Sequence, residues 1–175
     1  MIKIVRKAYI VGTNHKFQRG EQRQREFSSF LEKICINLDI QLVAEEINDN
    51  AKLIVARDIT NKHGIKYLII EPRPSQYEEY GIKPIHKIRY EVMQIFDLES
   101  LHDPIDISDK IARELDQRIV DLHSSPREKV WLSRIEMANL WPVLVICGAN
   151  HVTSFFSLLT HNDVLTKVVE QHWGE

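Results

Sequence analysis

Two stretches far apart in the chain are spelled almost alike: Ile10-Val11-Gly12-Thr13-Asn14-His15 and Ile146-Cys147-Gly148-Ala149-Asn150-His151. Each is an apolar run that breaks at Gly-x-Asn-His. A histidine in that position sits where a buried strand hands over to a helix, which is where α/β folds gather their chemistry. A glycine three residues earlier lets the backbone turn off the strand and approach a ligand closely. Two other strand-like runs end in carboxylates, at Glu45-Glu46 and at Glu71. Two imidazoles with one or two carboxylates suffice to hold a divalent transition ion (zinc, manganese, cobalt or iron) and leave positions open for water or substrate. Such an ion would make a hydroxide nucleophile near neutral pH, with one of the glutamates as general base.

On that basis His15, His151 and Glu45 are the expected metal ligands, and Glu45, Glu46, Arg57 and Glu71 the expected catalytic set. Adjacent strand residues point to opposite faces, so at most one of Glu45 and Glu46 faces the site while the strand lasts. Glu45 is favoured, because Glu46 is a step further into the loop. Arg57 reads either as a surface ion pair with Asp58 or as a guanidinium that holds a carboxylate, phosphate or oxyanion over the same pocket.

The elements that must position these residues follow from hydrophobic periodicity. Strands are expected at Lys7–Val11, Ile40–Ala44, Ile65–Ile70, Val143–Cys147 and Leu165–Val169. A long amphipathic helix is expected from Lys16 to Asp39, with very polar first turns, and another from Asp49 to His63, stopped by Gly64. Pro72, Pro74, Gly81 and Pro84 mark an irregular segment, where Tyr77-Glu78-Glu79-Tyr80 could cover a site. Helical patterns follow at His86–Leu98, Ser108–Leu122 and Ser125–Ala138, and a last one at Val152–Leu159. Near-continuous apolar strands joined by short helical connections suit a sheet covered on both faces. The expected fold is α/β, with a mostly parallel central sheet built from two βαβ-like halves and a helical insertion at about 84–140. If the strands are parallel, His15, Glu45-Glu46, Glu71 and His151 all reach one edge of the sheet.

A chain of 175 residues is read as one domain with a sizeable core. With 23 basic and 25 acidic residues the net charge of -2 gives no electrostatic reason for a nucleic-acid partner. The one basic cluster, Lys16 to Arg25, reads as a solvated helix face. No apolar run approaches the ~18 residues that span a bilayer, and the basic stretch Met1 to Lys7 leads into an expected strand too short for a signal peptide. A cytoplasmic protein with a small-molecule substrate, no membrane partner and a possible homo-oligomeric state is expected. Cys35 and Cys147 form no CxxC and read as buried thiols; Cys147, although beside Gly148, reads as a core residue rather than a nucleophile. Trp131 and Trp141 are expected to close a core. His63, His86, His102, His123, His161 and His172 are read as surface or packing residues.

These residues also carry a resemblance. Paired Gly-x-x-His motifs at Gly12/His15 and Gly148/His151, with a glutamate pair ending the second strand, resemble the Tiki/TraB superfamily, which includes the erythromycin esterase and ChaN-like groups. Ala56-Arg57-Asp58, Ile70-Glu71-Pro72, Glu79-Tyr80-Gly81-Ile82, Arg127-Glu128, Trp131-Leu132 and Cys147 to Val152 resemble a compact bacterial group within it. The resemblance implies two βαβ-like halves with the site between them, and one of three activities: metal-dependent proteolysis, esterase action on a macrolide, or haem binding. The chain is shorter than the proteases and lacks the helical bulk expected for enclosing a macrolide. The expected function is therefore a metal-dependent hydrolase of a small soluble substrate. A haem-binding or other cofactor-binding protein without turnover is the alternative, and a structural or regulatory module the third.

Overall fold

The computed structural model describes residues 5–48, 50, 53–98 and 109–174. They divide into two compact units, 1–71 with 131–175, and 72–130. The second unit thus begins earlier and ends earlier than the insertion expected at about 84–140.

The first unit is α/β. It opens with β1 (Lys7–Thr13), a short α1 (His15–Gln18), α2 (Gln24–Asn37), β2 (Leu42–Glu45), α3 (Val55–His63) and β3 (Lys66–Ile69). The second unit holds a 3-10 turn at Pro74–Gln76, α4 (Ile85–Ile95), α5 (Asp109–Ile119) and a π-helical turn at Val120–Ser124 that runs straight into α6 (Ser125–Ala138). The boundary between the units falls inside α6. The chain then completes the first unit with β4 (Val143–Gly148), a 3-10 turn at Ala149–His151, α7 (Val152–His161) and β5 (Leu165–Glu170).

All five strands are parallel, in the order β3-β2-β4-β1-β5. β4 enters between β1 and β2, so the two halves interleave. Alternation along the strands sorts side chains onto two faces. Ala8, Ile10, Leu42, Ala44, Val143, Val145 and Cys147 pack with Trp131 and Ile135 of α6 and with Phe155 and Leu159 of α7. Val11, Val43, Leu144 and Ile146 pack with Phe27, Leu31, Ile34 and Cys35 of α2 and with Val55, Ala56 and Ile59 of α3. Both faces of the central strands are dry, which explains their continuous apolar runs.

The single helix expected over Lys16–Asp39 is two. Gly20 and Arg23 both take the left-handed conformation (φ 66° and 45°) and break the helix between α1 and α2. The intervening residues are polar and exposed, so no burial rewards an unbroken helix there. The helices expected at Ser108–Leu122 and Ser125–Ala138 are joined through the π-helical turn. Asp49 and Ala51, in the expected start of the second helix, and also His102 and Ser108 lie outside the described residues; α3 is seen from Val55.

Within the second unit, His123 is buried and its Nδ1 bonds the Lys83 carbonyl at 3.0 Å, with Tyr77 edge-on to its ring. Arg127 Nη1 lies 3.4 Å from the other ring nitrogen. Tyr77-Glu78-Glu79-Tyr80 form the turn that follows Pro74–Gln76 in this unit.

Candidate functional site

The strand order brings four strand ends together in sequence along one edge: Glu71 beyond β3, Glu45-Glu46 at β2, Gly148 to His151 at β4, and Thr13 to His15 at β1. Register places Gly148 beside Thr13 and Glu45 beside Ile146. The two Gly-x-Asn-His motifs are therefore next-door neighbours, with the glutamate pair on the far side of the second.

Glu46 stands at the centre of this edge and is 4% exposed. Its backbone N–H donates to the Ile146 carbonyl at 2.8 Å, continuing the ladder one step past the end of β2. Its side chain therefore emerges on the face opposite Glu45, the face of Ala44 and Cys147. There Oε2 accepts the Gly148 N–H at 2.7 Å, and Oε1 stands 3.8 Å from His151 Nε2. This arrangement does not depend on the missing side chain: a Cβ at Gly148 would lie 3.5 Å from Glu46 Oε2 and 3.7 Å from His151 Cδ2, in ordinary contact with both.

His151 ends the 3-10 turn at the start of α7, its side chain 14% exposed. Trp131 meets its ring edge to face, with centroids 5.0 Å apart, and packs Phe155 at 5.5 Å in the same manner. The tryptophan expected only to close a core thus also orients an imidazole. Its indole N–H donates to Glu71 Oε2 at 3.1 Å, and Arg134 Nη1 donates to the Glu71 carbonyl at 2.9 Å. Glu71 is thereby tied to α6.

Glu45, fully buried, turns to the α2–α3 face. Tyr67 donates its hydroxyl to Oε2 at 2.6 Å, and the Gln18 amide lies close enough to act on the carboxyl, although Oε1 makes no hydrogen bond of good geometry among the described residues. Burial pushes the Glu45 carboxyl up to about 7; Tyr67, Gln18 and the charge of Arg57 pull the other way and do not offset it. The favoured choice of Glu45 as the residue facing His151 is not what the geometry displays, because β2 pairing extends to Glu46. Arg57, half-buried on α3, acts on Glu45 through its charge.

His15 opens α1 and is exposed. Its Nδ1 lies 2.5 Å from Gln18 Oε1, and the Gln18 amide donates from Nε2 to the Glu46 carbonyl at 3.1 Å. Gln18 is fully buried and links the first motif to Glu46. Sequence reasoning missed it, since it lies within the basic stretch read as a solvated face. The only hint was its place three residues after His15, on the same side of a helix.

Among the described residues, no group of three or more His, Cys, Asp or Glu side chains is close enough together to hold a metal ion. Structural and catalytic divalent sites take three or four protein ligands. His151 and Glu46 supply two, so the fit is incomplete and no chemical step is assigned to an ion. Cys35 and Cys147 are both buried and are not joined in a disulfide; burial raises the Cys35 thiol to about 11.

No protein-family model matches the chain, and no curated protein and no solved structure matches it.

Proposed function

We propose that the chain is a hydrolase acting on a small soluble substrate, with Glu46 and His151 as its acid–base pair. One observation carries the reading: a nearly buried carboxylate, pinned by the Gly148 N–H, whose second oxygen stands 3.8 Å from an imidazole nitrogen. That spacing is too long for a hydrogen bond, and it suits a water that touches both groups. In the reaction, His151 Nε2 takes a proton from this water while the hydroxide adds to an electrophilic carbon or phosphorus. The adjacent Glu46 carboxylate stabilises the imidazolium, and the proton then passes to the leaving group. Trp131 holds the ring in place throughout. Kinship with the Tiki/TraB superfamily belongs to the same proposal, supported by twin motifs on neighbouring strand ends and a glutamate on the next strand.

A metal-dependent form of the reading adds a divalent transition ion held through His151 and Glu46. His151 and Glu46 supply two of the three or four protein ligands that such a site takes, so this form needs a further ligand beyond them.

The test is a screen of ester, amide and phosphoester hydrolysis by wild type and His151→Ala, both prepared without a metal-binding tag, with elemental analysis of each. Turnover of one bond class that falls ~10²- to 10⁴-fold in the variant, at unchanged unfolding temperature, is expected. A near-stoichiometric metal that His151→Ala removes would select the metal-dependent form. Equal turnover in both proteins, or a stoichiometric haem bound through the histidines without turnover, would overturn the proposal.

A further inference from the structure

The surroundings of the buried Gln18 amide fix the position of a hydrogen on the neighbouring imidazole. Gln18 ends α1, three residues after His15, and has no exposed surface. Its two polar atoms face different partners, and the amide also acts on the Glu45 carboxyl. One is 3.1 Å from the Glu46 carbonyl oxygen and the other 2.5 Å from His15 Nδ1. A carbonyl oxygen can only accept, so the amide nitrogen must face Glu46. The amide oxygen must then face His15, and since it too can only accept, Nδ1 must carry a hydrogen. Turning the amide over would press two oxygens together and leave a buried donor and acceptor mismatched, which costs ~1–3 kcal/mol per group. In its neutral form His15 is therefore held with the lone pair on Nε2. That atom has no partner among the described residues, and the residue is exposed.

The same amide steadies Glu46. The glutamate is fixed at its N–H by Ile146, at its carboxylate by Gly148, and at its carbonyl by Gln18. The restraint on His15 and the restraint on the Glu46–His151 pair thus share one side chain.

We propose that Gln18 is a positioning residue that locks His15 in the Nδ1–H tautomer, so that Nε2 is presented as a second base, or as a hydrogen-bond acceptor for a hydroxyl of the substrate. The assignment of a substrate role rests on the hydrolase reading; the tautomer does not. His15 then complements His151: one imidazole activates water while the other receives a hydroxyl-bearing group, which names the substrate class as one that offers an O–H beside the bond that is cut.

The experiment is long-range nitrogen–proton NMR of the histidine rings in the full chain at alkaline pH, where imidazoles are neutral. His15→Gln supplies the assignment. Wild type alone decides the first point: His15 should show the hydrogen on Nδ1 and a bare Nε2. Gln18→Leu should lower the ratio of Nδ1–H to Nε2–H by roughly fivefold or more, the worth of one hydrogen bond. A wild-type His15 with its hydrogen on Nε2, or an unchanged ratio in a folded Gln18→Leu, would overturn the proposal. Because the signal needs no turnover, failure of the hydrolase reading would show separately, as correct tautomers in a protein that hydrolyses nothing.

Discussion

The two Gly-x-Asn-His motifs share a spelling and a place in the sheet, yet they are built for different ends. In the first, Gly12 is required by crowding. A Cβ there would fall 2.1 Å from the Gln171 carbonyl oxygen and 2.5 Å from Val152 Cγ2. The C-terminal segment lies along this strand end, with the Trp173 N–H on the Gly12 carbonyl at 2.9 Å and the Thr13 hydroxyl on the Trp173 carbonyl at 3.2 Å. The Trp173 ring packs against Phe17 and Phe27, with the Arg23 guanidinium 5.0 Å above it. Asn14 caps α1 by accepting the Lys16 N–H at 3.0 Å, and His15 is left outside, oriented by Gln18. In the second motif, Gly148 gives its N–H to Glu46, and His151 is folded inward between that carboxylate and Trp131. Equal sequence therefore marks an equal topological position, and the neighbours decide the chemistry.

The sharpest way to separate the motifs is to remove each histidine in turn. His151→Ala should lower kcat/KM for whichever bond class is hydrolysed by ~10²- to 10⁴-fold. His15→Ala should lower it less, since His15 is more exposed and is not paired with the carboxylate. Steady-state kinetics on the two variants would measure the gap; equal losses would make the motifs functional twins and break the distinction.

The glutamate pair extends the contrast to the two faces of β2. Glu45 ionises near 4.5 in the unfolded chain and at about 7 in the folded one. Between those values the folded state retains a proton that the unfolded state has lost. The stability held by the neutral group is thus fully present below 4.5 and disappears as pH rises through 7, by on the order of 3 kcal/mol. Glu45→Gln keeps an acceptor for the Tyr67 hydroxyl and should flatten this dependence. Urea unfolding of both proteins at about pH 5 and about pH 8.5 would test it, with a gain in stability expected for the variant only at the higher pH. A parallel slope in both would place the effect elsewhere.

The glycines should part company in stability. Gly12→Ala forces the C-terminal segment or Val152 to move and should cost ~1–3 kcal/mol. Gly148→Ala meets only ordinary contacts and should stay within about 0.5 kcal/mol. Thermal unfolding of the two variants gives the comparison directly, and a reversal of their order would refute the crowding argument.

The features legible in the sequence are those whose signals are local. The strand ends and the four-fold convergence on one sheet edge were legible, because apolar runs, glycine punctuation and parallel connections are local patterns. The break between α1 and α2 was not, since the apolar spacing from Phe27 to Leu38 says nothing about the polar turns before it. The choice between Glu45 and Glu46 depended on whether pairing stopped at residue 45 or continued one step, and a single backbone bond to Ile146 decides it. Gln18 was invisible for a different reason: its partner Glu46 is 28 residues away, and a glutamine among basic residues looks solvated until the fold buries it. Trp131 was correctly expected in the core, but its contact with His151 joins residues 20 positions apart on different elements.

The proposed catalysis depends above all on the Glu46 carboxylate making His151 an effective base. Glu46→Gln is the direct probe, because it keeps an acceptor for the Gly148 N–H while removing the charge beside the imidazole. Hydrolysis rates and thermal unfolding would be measured side by side in wild type and variant. A rate loss of ~10²-fold or more is expected, with the unfolding temperature little changed. A Glu46→Gln protein that is folded and hydrolyses at the wild-type rate would contradict this role for the carboxylate.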